Sequence, residues 1–238
     1  MALGSQPRWT VRSADAQVGI DVGLRDYMLR IYNYMASGLA LTGIVAYVSA
    51  YSGFYESIAR TPLIWLVILA PLGLVMLMSF GVQRMQASTL QLVFWVYAGL
   101  MGLSLAMVFL VFTGTSVARV FFITAGTFAA MSLYGYTTQR DLSQFGSFLF
   151  MGLIGIVIAS LVNIFIGSSA LQFAISVIGV LVFVGLTAWD TQSIKEMYVA
   201  SDDGQVAGKK SIMGALRLYL DFLNLFLMLM QLFGQRRD

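Results

Sequence analysis

The chain has 238 residues, 59% of them hydrophobic and 11% charged, with a formal net charge of +3. Soluble domains carry about 25% charged residues, so a soluble fold is excluded and one polytopic membrane domain is expected. Cysteine and histidine are both absent, which removes disulfides, thiolate metal sites and every histidine-dependent catalytic scheme.

The first 30 residues are polar and of mixed charge, with Arg8, Arg12, Arg25 and Arg30 set against Asp15, Asp21 and Asp26. They lack the short apolar core and cleavage site of a signal peptide. They read as a cytoplasmic tail (1–30) with an amphipathic lead-in to a single transmembrane domain (31–238). A helix needs about 20 apolar residues to cross the hydrocarbon core. Six stretches meet this plainly, at about 31–52, 62–80, 90–112, 118–137, 145–166 and 171–192. A seventh, about 212–233, is long enough but carries Arg217, Asp221 and Asn224. The predicted fold class is therefore all-α. Small residues recur in the spans (Gly99, Gly102 and Ala106; Gly126 and Ala130; Gly152, Gly155 and Ala159), where they let helix backbones approach closely.

With the N-terminus in the cytoplasm, the inner side holds Arg8, Arg12, Arg25, Arg30, Arg84, Arg140, Lys195, Lys209 and Lys210. The outer side holds Arg60, Arg119, Arg236 and Arg237. That excess supports this orientation by the positive-inside rule. The pair Arg236-Arg237 pulls the other way, toward a re-entrant last segment; its length favours a full crossing. The basic residues suit a lipid bilayer with anionic headgroups, and no basic face or motif points to nucleic acid. One long connection, about 193–211, reads as a flexible polar loop. Its Gly204–Ser211 stretch lacks the spacing of a phosphate loop, and Asp202-Asp203 offers only a weak divalent-cation contact without calcium-loop spacing.

Two aspartates stand where charge is least tolerated. Asp190 closes the sixth apolar run and Asp221 lies inside the seventh. An ionised carboxylate at the bilayer centre costs roughly 2.5–3.5 kcal/mol on insertion scales. Such a group stays protonated, pairs with a cation or lines a watery path. On a helix, Arg217, Asp221 and Asn224 share one face, extended by Gly214 and Met228. A helix with one polar stripe turns it inward, so this segment is expected to sit centrally. Thr187 shares a face with Asp190. Two carboxyls meeting in a poorly solvated site cannot both ionise cheaply, and one proton is then shared between them. That makes a pH sensor without histidine. The opposing reading is that Arg217 and Asp221 neutralise each other on one helix while Asp190 sits among headgroups. Arg84, ending the second span, is either a snorkelling anchor or a cation that latches Asp190.

Several segments resemble the Bax inhibitor-1 family, also called the transmembrane Bax-inhibitor-motif family. They are Leu29–Met35 with Gly38–Gly43, Phe80-Gly-Val-Gln-Arg84, Tyr136–Ser143, Thr187-Ala-Trp-Asp-Thr-Gln192 and Leu218-Tyr-Leu-Asp-Phe-Leu-Asn-Leu-Phe226. The last two are the most specific, and the whole is similar to a bacterial member. The resemblance implies seven helices, two layers of three enclosing the seventh, in a bacterial inner membrane. It implies a pH-sensitive calcium leak in which Asp190 and Asp221 sense protons and Arg84 acts as a latch. Calcium would then be transported cargo passing transiently near Asp190 and Asp221, with no cofactor and no enzymatic role. Two other readings stay open. One is an interaction protein that modulates a membrane-bound protease or stress response. The other is an intramembrane aspartyl protease, disfavoured because Leu218-Tyr-Leu-Asp221 replaces Gly-x-Gly-Asp and all three prolines lie in the first third.

Overall fold

A computed structural model describes the backbone of residues 8–237 and the side chains of residues 22–237. The described chain is helical throughout. It runs α1 (Arg8–Tyr51), α2 (Phe54–Ala59), α3 (Leu63–Gly81), α4 (Ala87–Val111), α5 (Gly114–Thr137), α6 (Ser143–Ile166), α7 (Ser169–Glu196) and α8 (Gly204–Phe233). All but α2 are long and apolar enough to cross a membrane. Backbone polar groups in hydrocarbon must be satisfied within the segment, which is why the apolar runs resolve into continuous helices.

Three boundaries differ from those read in the sequence. No break falls near residue 31, because α1 is one continuous helix from Arg8 to Tyr51 and the expected tail runs straight into the first span. Residues 1–7 of the expected tail lie outside the described residues. The short α2, absent from the sequence reading, sits between the first two spans and is entered through Gly53, whose φ of 73° suits glycine. The expected loop 193–211 is mostly helix: only 197–203 separates α7 from α8, and Lys209, Lys210 and Ser211 lie in the first turns of α8. Asp203 caps that helix, accepting a bond from the Val206 N–H at 2.7 Å. Asp202 is bonded to Lys210 Nζ at 2.6 Å. Both acids thus have structural partners. Asp203→Ala is expected to lower stability by about 1 kcal/mol, the usual cost of a lost N-cap, read as an earlier thermal unfolding midpoint in detergent.

α8 is uninterrupted over 30 residues, about 45 Å at 1.5 Å per residue, against a hydrocarbon core of about 30 Å. Its two ends join opposite ends of the bundle. At its start Gln205 Oε1 accepts the Ala87 N–H and Lys209 Nζ donates to the Gln83 carbonyl, both in the α3–α4 turn. Past its end the chain meets the α4–α5 turn, where Thr113 N–H donates to Gln235 O and Arg237 N–H to Val111 O. Arg237 Nη2 also donates to the Tyr51 hydroxyl at 2.6 Å. A re-entrant last segment would return to its starting side; this one does not. The pair Arg236-Arg237 is held by the opposite end of the bundle.

α8 is the most buried span, and it packs against α1, α4, α5 and α7. α3 joins the bundle through α4, and α6 through α7. Thr42 of α1 ties three helices together, its hydroxyl at 2.8 Å from the Ala98 carbonyl and 2.6 Å from the Tyr219 hydroxyl. Tyr219 stacks edge-on against Phe94 and Tyr97. Helix contact depends on glycine at specific crossings. A Cβ at Gly102 would lie 2.6 Å from the Thr42 carbonyl oxygen of α1. A Cβ at Gly135 would run into the Ala188 backbone of α7, and one at Gly146 into the Trp189 ring. Gly99, Gly126 and Gly155, equally conspicuous in the sequence, face open space.

Candidate functional site

α7 and α8 run antiparallel, and the stripe noted on the last helix is what α8 turns toward α7. Gly214 adjoins Ile194, and Met228 adjoins Gly179. Gln231 Oε1 accepts from Ser176 Oγ at 2.7 Å and from Gln172 Nε2. Between these contacts the carboxyls of Asp190 and Asp221 lie against each other. Asp190 is 9% exposed and Asp221 5%.

The cation beside the pair is Arg217. Its Nη1 stands 3.8 Å from Asp190 Oδ1, with the arginine side chain 46% exposed. That separation is too long for a hydrogen bond, so the contact is ionic attraction softened by solvent access. Asp221 Oδ2 is buried and has no hydrogen-bond partner among the described residues. A proton on the neighbouring carboxyl is the donor that would satisfy it. Arg217 therefore reaches across to α7 instead of neutralising Asp221 one turn along its own helix. The reason is register: residue 217 of α8 falls opposite 190 of α7. Arg84 lies exposed beyond α3, and the ion pair found for Asp190 is the one with Arg217.

The remaining polar residues on the two stripes are occupied locally. Thr187 Oγ1 donates to the Phe183 carbonyl at 2.8 Å, and Asn224 Nδ2 to the Leu220 carbonyl at 2.9 Å. Neither side chain is directed at the carboxyl pair by a hydrogen bond. The sequence reading missed two groups. One is a chain of hydroxyls next to Asp190: Thr191 Oγ1 lies 2.9 Å from Ser132 Oγ, which lies 2.6 Å from the Tyr32 hydroxyl. It links α7, α5 and α1 across the inner half of the bundle. The other is the cluster of Asn163, Gln172, Ser176 and Gln231 at the far end of α7 and α8. A signal for it exists, because Arg217, Asp221, Asn224, Met228 and Gln231 follow alternating steps of four and three. Prolonging that rhythm by one step finds Gln231.

The arrangement has a defined chemistry. Two acids side by side in a site that water barely reaches can hold one negative charge far more readily than two. Arg217 balances one charge. A second ionisation would leave the interior with net negative charge, to be relieved by separation of α7 from α8 or by a cation.

The rest of the chain agrees with known proteins over nearly its whole length. Residues 24–238 match the family described as Inhibitor of apoptosis-promoting Bax1. A protein of Rickettsia prowazekii is 51% identical over 230 residues, covering 96% of this chain and 98% of its own. The inner membrane protein YbhL of Escherichia coli is 49% identical over 228 residues, 94% of this chain and 97% of its own. A Caulobacter vibrioides protein is 42% identical over 235 residues, 94% of each. The chain is a member of the Bax inhibitor-1 family of membrane proteins.

Proposed function

We propose that this protein is a pH-sensitive cation leak, chiefly for calcium, gated by the protonation of Asp190 and Asp221. The observation that carries the reading is the meeting of these two buried carboxyls on adjacent helices. Ionisable side chains inside a membrane are expensive and concentrate on ion and proton pathways. With one shared proton the pair bears a single charge beside Arg217, and α7 and α8 stay closed on each other. Removing that proton adds a charge where it is poorly solvated and weakens the seam between the two helices. The polar cluster at the far end of the same seam supplies oxygen ligands, the kind calcium prefers. Arg84, the latch that the family resemblance implies, joins this reading as a second candidate cation for Asp190. The relative's name supports a bacterial inner membrane, and the excess of Lys and Arg on the α1-start side supports a cytoplasmic N-terminus.

The test is calcium flux into vesicles that contain only the purified protein. Flux should exceed that of protein-free vesicles and change with pH. Flux equal to that of empty vesicles across the whole range would remove the leak function.

A further inference from the structure

We infer that the seam between α1 and α5 is a phospholipid site, holding one acyl chain of a lipid whose anionic headgroup sits at Arg25. α1 and α5 both pack on α8, and they meet each other at the Tyr32–Ser132 bond while leaving a gap along the rest of the seam. The gap is a cavity of about 770 Å³, walled by residues such as Leu29, Met35, Phe121 and Ala129 and floored by Phe222. It falls within the roughly 300–1,000 Å³ usual for small-molecule sites.

Its shape and lining select the occupant. The walls are almost wholly apolar, and a dry apolar cavity gives water nothing to bond to. Along α1 it runs from Arg25 to Ala40, and along α5 from Phe121 to Tyr136. Fifteen residues of rise is about 22 Å, nearly three-quarters of a roughly 30 Å hydrocarbon core. That is room for one extended acyl chain, reaching past the roughly 15 Å of its own leaflet. A smaller cavity of about 250 Å³ continues the seam toward the other leaflet, and the two share Leu39, Phe121 and Phe222.

Charge is found at one end only. Arg25 lines the mouth, ahead of the apolar run of α1 that begins near residue 31. Lys195 stands at the same end, its Nζ 2.8 Å from the Tyr136 carbonyl and 5.3 Å from the centre of the Tyr136 ring. Two cations at one end of an apolar slot long enough for an acyl chain match an anionic phospholipid. The inner wall of the slot carries the Tyr32–Ser132 bond, so a seated acyl chain would cover the hydroxyl chain that ends at Thr191, the residue after Asp190. The inference does not depend on the leak: a non-conducting protein would keep the slot.

The experiment places the wild-type protein in vesicles of phosphatidylglycerol and phosphatidylethanolamine that carry a photoactivatable group on the acyl chain. Crosslinks are mapped by mass spectrometry. They should concentrate on residues 28–40 and 121–136, well above the outward face of α6 at Ile154 and Ile158. Ala129→Trp, which fills the slot, should bring them down to the α6 level. Arg25→Glu should lower the preference for phosphatidylglycerol by about fivefold, the scale of one arginine at an anionic surface. Wild-type labelling no denser in the seam than on α6 would overturn the site. An unchanged lipid preference in Arg25→Glu would overturn the headgroup assignment.

Discussion

Replacing Asp190 or Asp221 with asparagine is expected to abolish the pH dependence of calcium flux. A gate linked to one proton changes its open population by at most about tenfold per pH unit. The wild-type flux should follow some part of that slope over the pH interval in which the pair gives up its shared proton. Each asparagine variant should give a nearly level line, because one carboxyl alone has no proton to share. Asparagine keeps the volume and can still hydrogen-bond, so packing between α7 and α8 should survive. The two variants should behave alike, and the double variant like either one, since the titrating unit is the pair. Curves that keep the wild-type slope in both single variants would remove the sensor. Flattening in one only would assign it to a lone carboxylate.

Gly135→Val should damage the bundle more than any other glycine replacement in α5. A Cβ there would stand 2.8 Å from the Ala188 carbonyl carbon and closer still to its oxygen. Backbone cannot rotate away as a side chain can, so α5 and α7 would have to part. Overpacking of this kind costs typically about 1–3 kcal/mol, and it falls two residues from Asp190. The variant should therefore unfold earlier in detergent and also show altered flux. Gly126→Ala is the matched control. Nothing lies within 4 Å of a Cβ at Gly126, and alanine is the better helix former by up to about 1 kcal/mol. Its stability should be equal or higher. Equal losses at Gly126 and Gly135 would mean that the α5–α7 crossing is not where the structure has it.

Much of this architecture is written locally. Each crossing helix is a run of apolar residues whose length matches the bilayer, so the count and order of spans follow from hydropathy alone. The stripe Gly214, Arg217, Asp221, Asn224 and Met228 is likewise a property of one helix, legible from its period. What escapes a one-dimensional reading is register between helices. Arg217 is four residues from Asp221, and within α8 that spacing invites a pair; only the antiparallel setting of α7 brings Asp190 within 3.8 Å of it. The same holds for glycine. Gly99, Gly102, Gly126 and Gly155 look alike in the sequence, yet Gly102 alone among them lies at a close crossing. Gly135 and Gly146 belong to no conspicuous repeat and are pressed against Ala188 and Trp189. The connection before α8 misled for another reason. Ser, Asp, Gly and Lys suggest a loop, but Asp203 and Gly204 begin a helix whose first turns are polar because they lie outside the hydrocarbon. The Tyr32–Ser132–Thr191 chain was hidden because single hydroxyls in apolar helices usually bond to their own backbone.

The central claim is that Asp190 and Asp221 hold a single proton between them. Infrared difference spectroscopy of the protein in lipid, recorded across a pH titration, reads the carboxylic-acid stretch directly. One buried carboxylic-acid band should be present, should fade over the same pH interval in which flux changes, and should vanish or move in both Asp190→Asn and Asp221→Asn. A spectrum with both carboxylates ionised throughout, or a band that neither substitution touches, would contradict it.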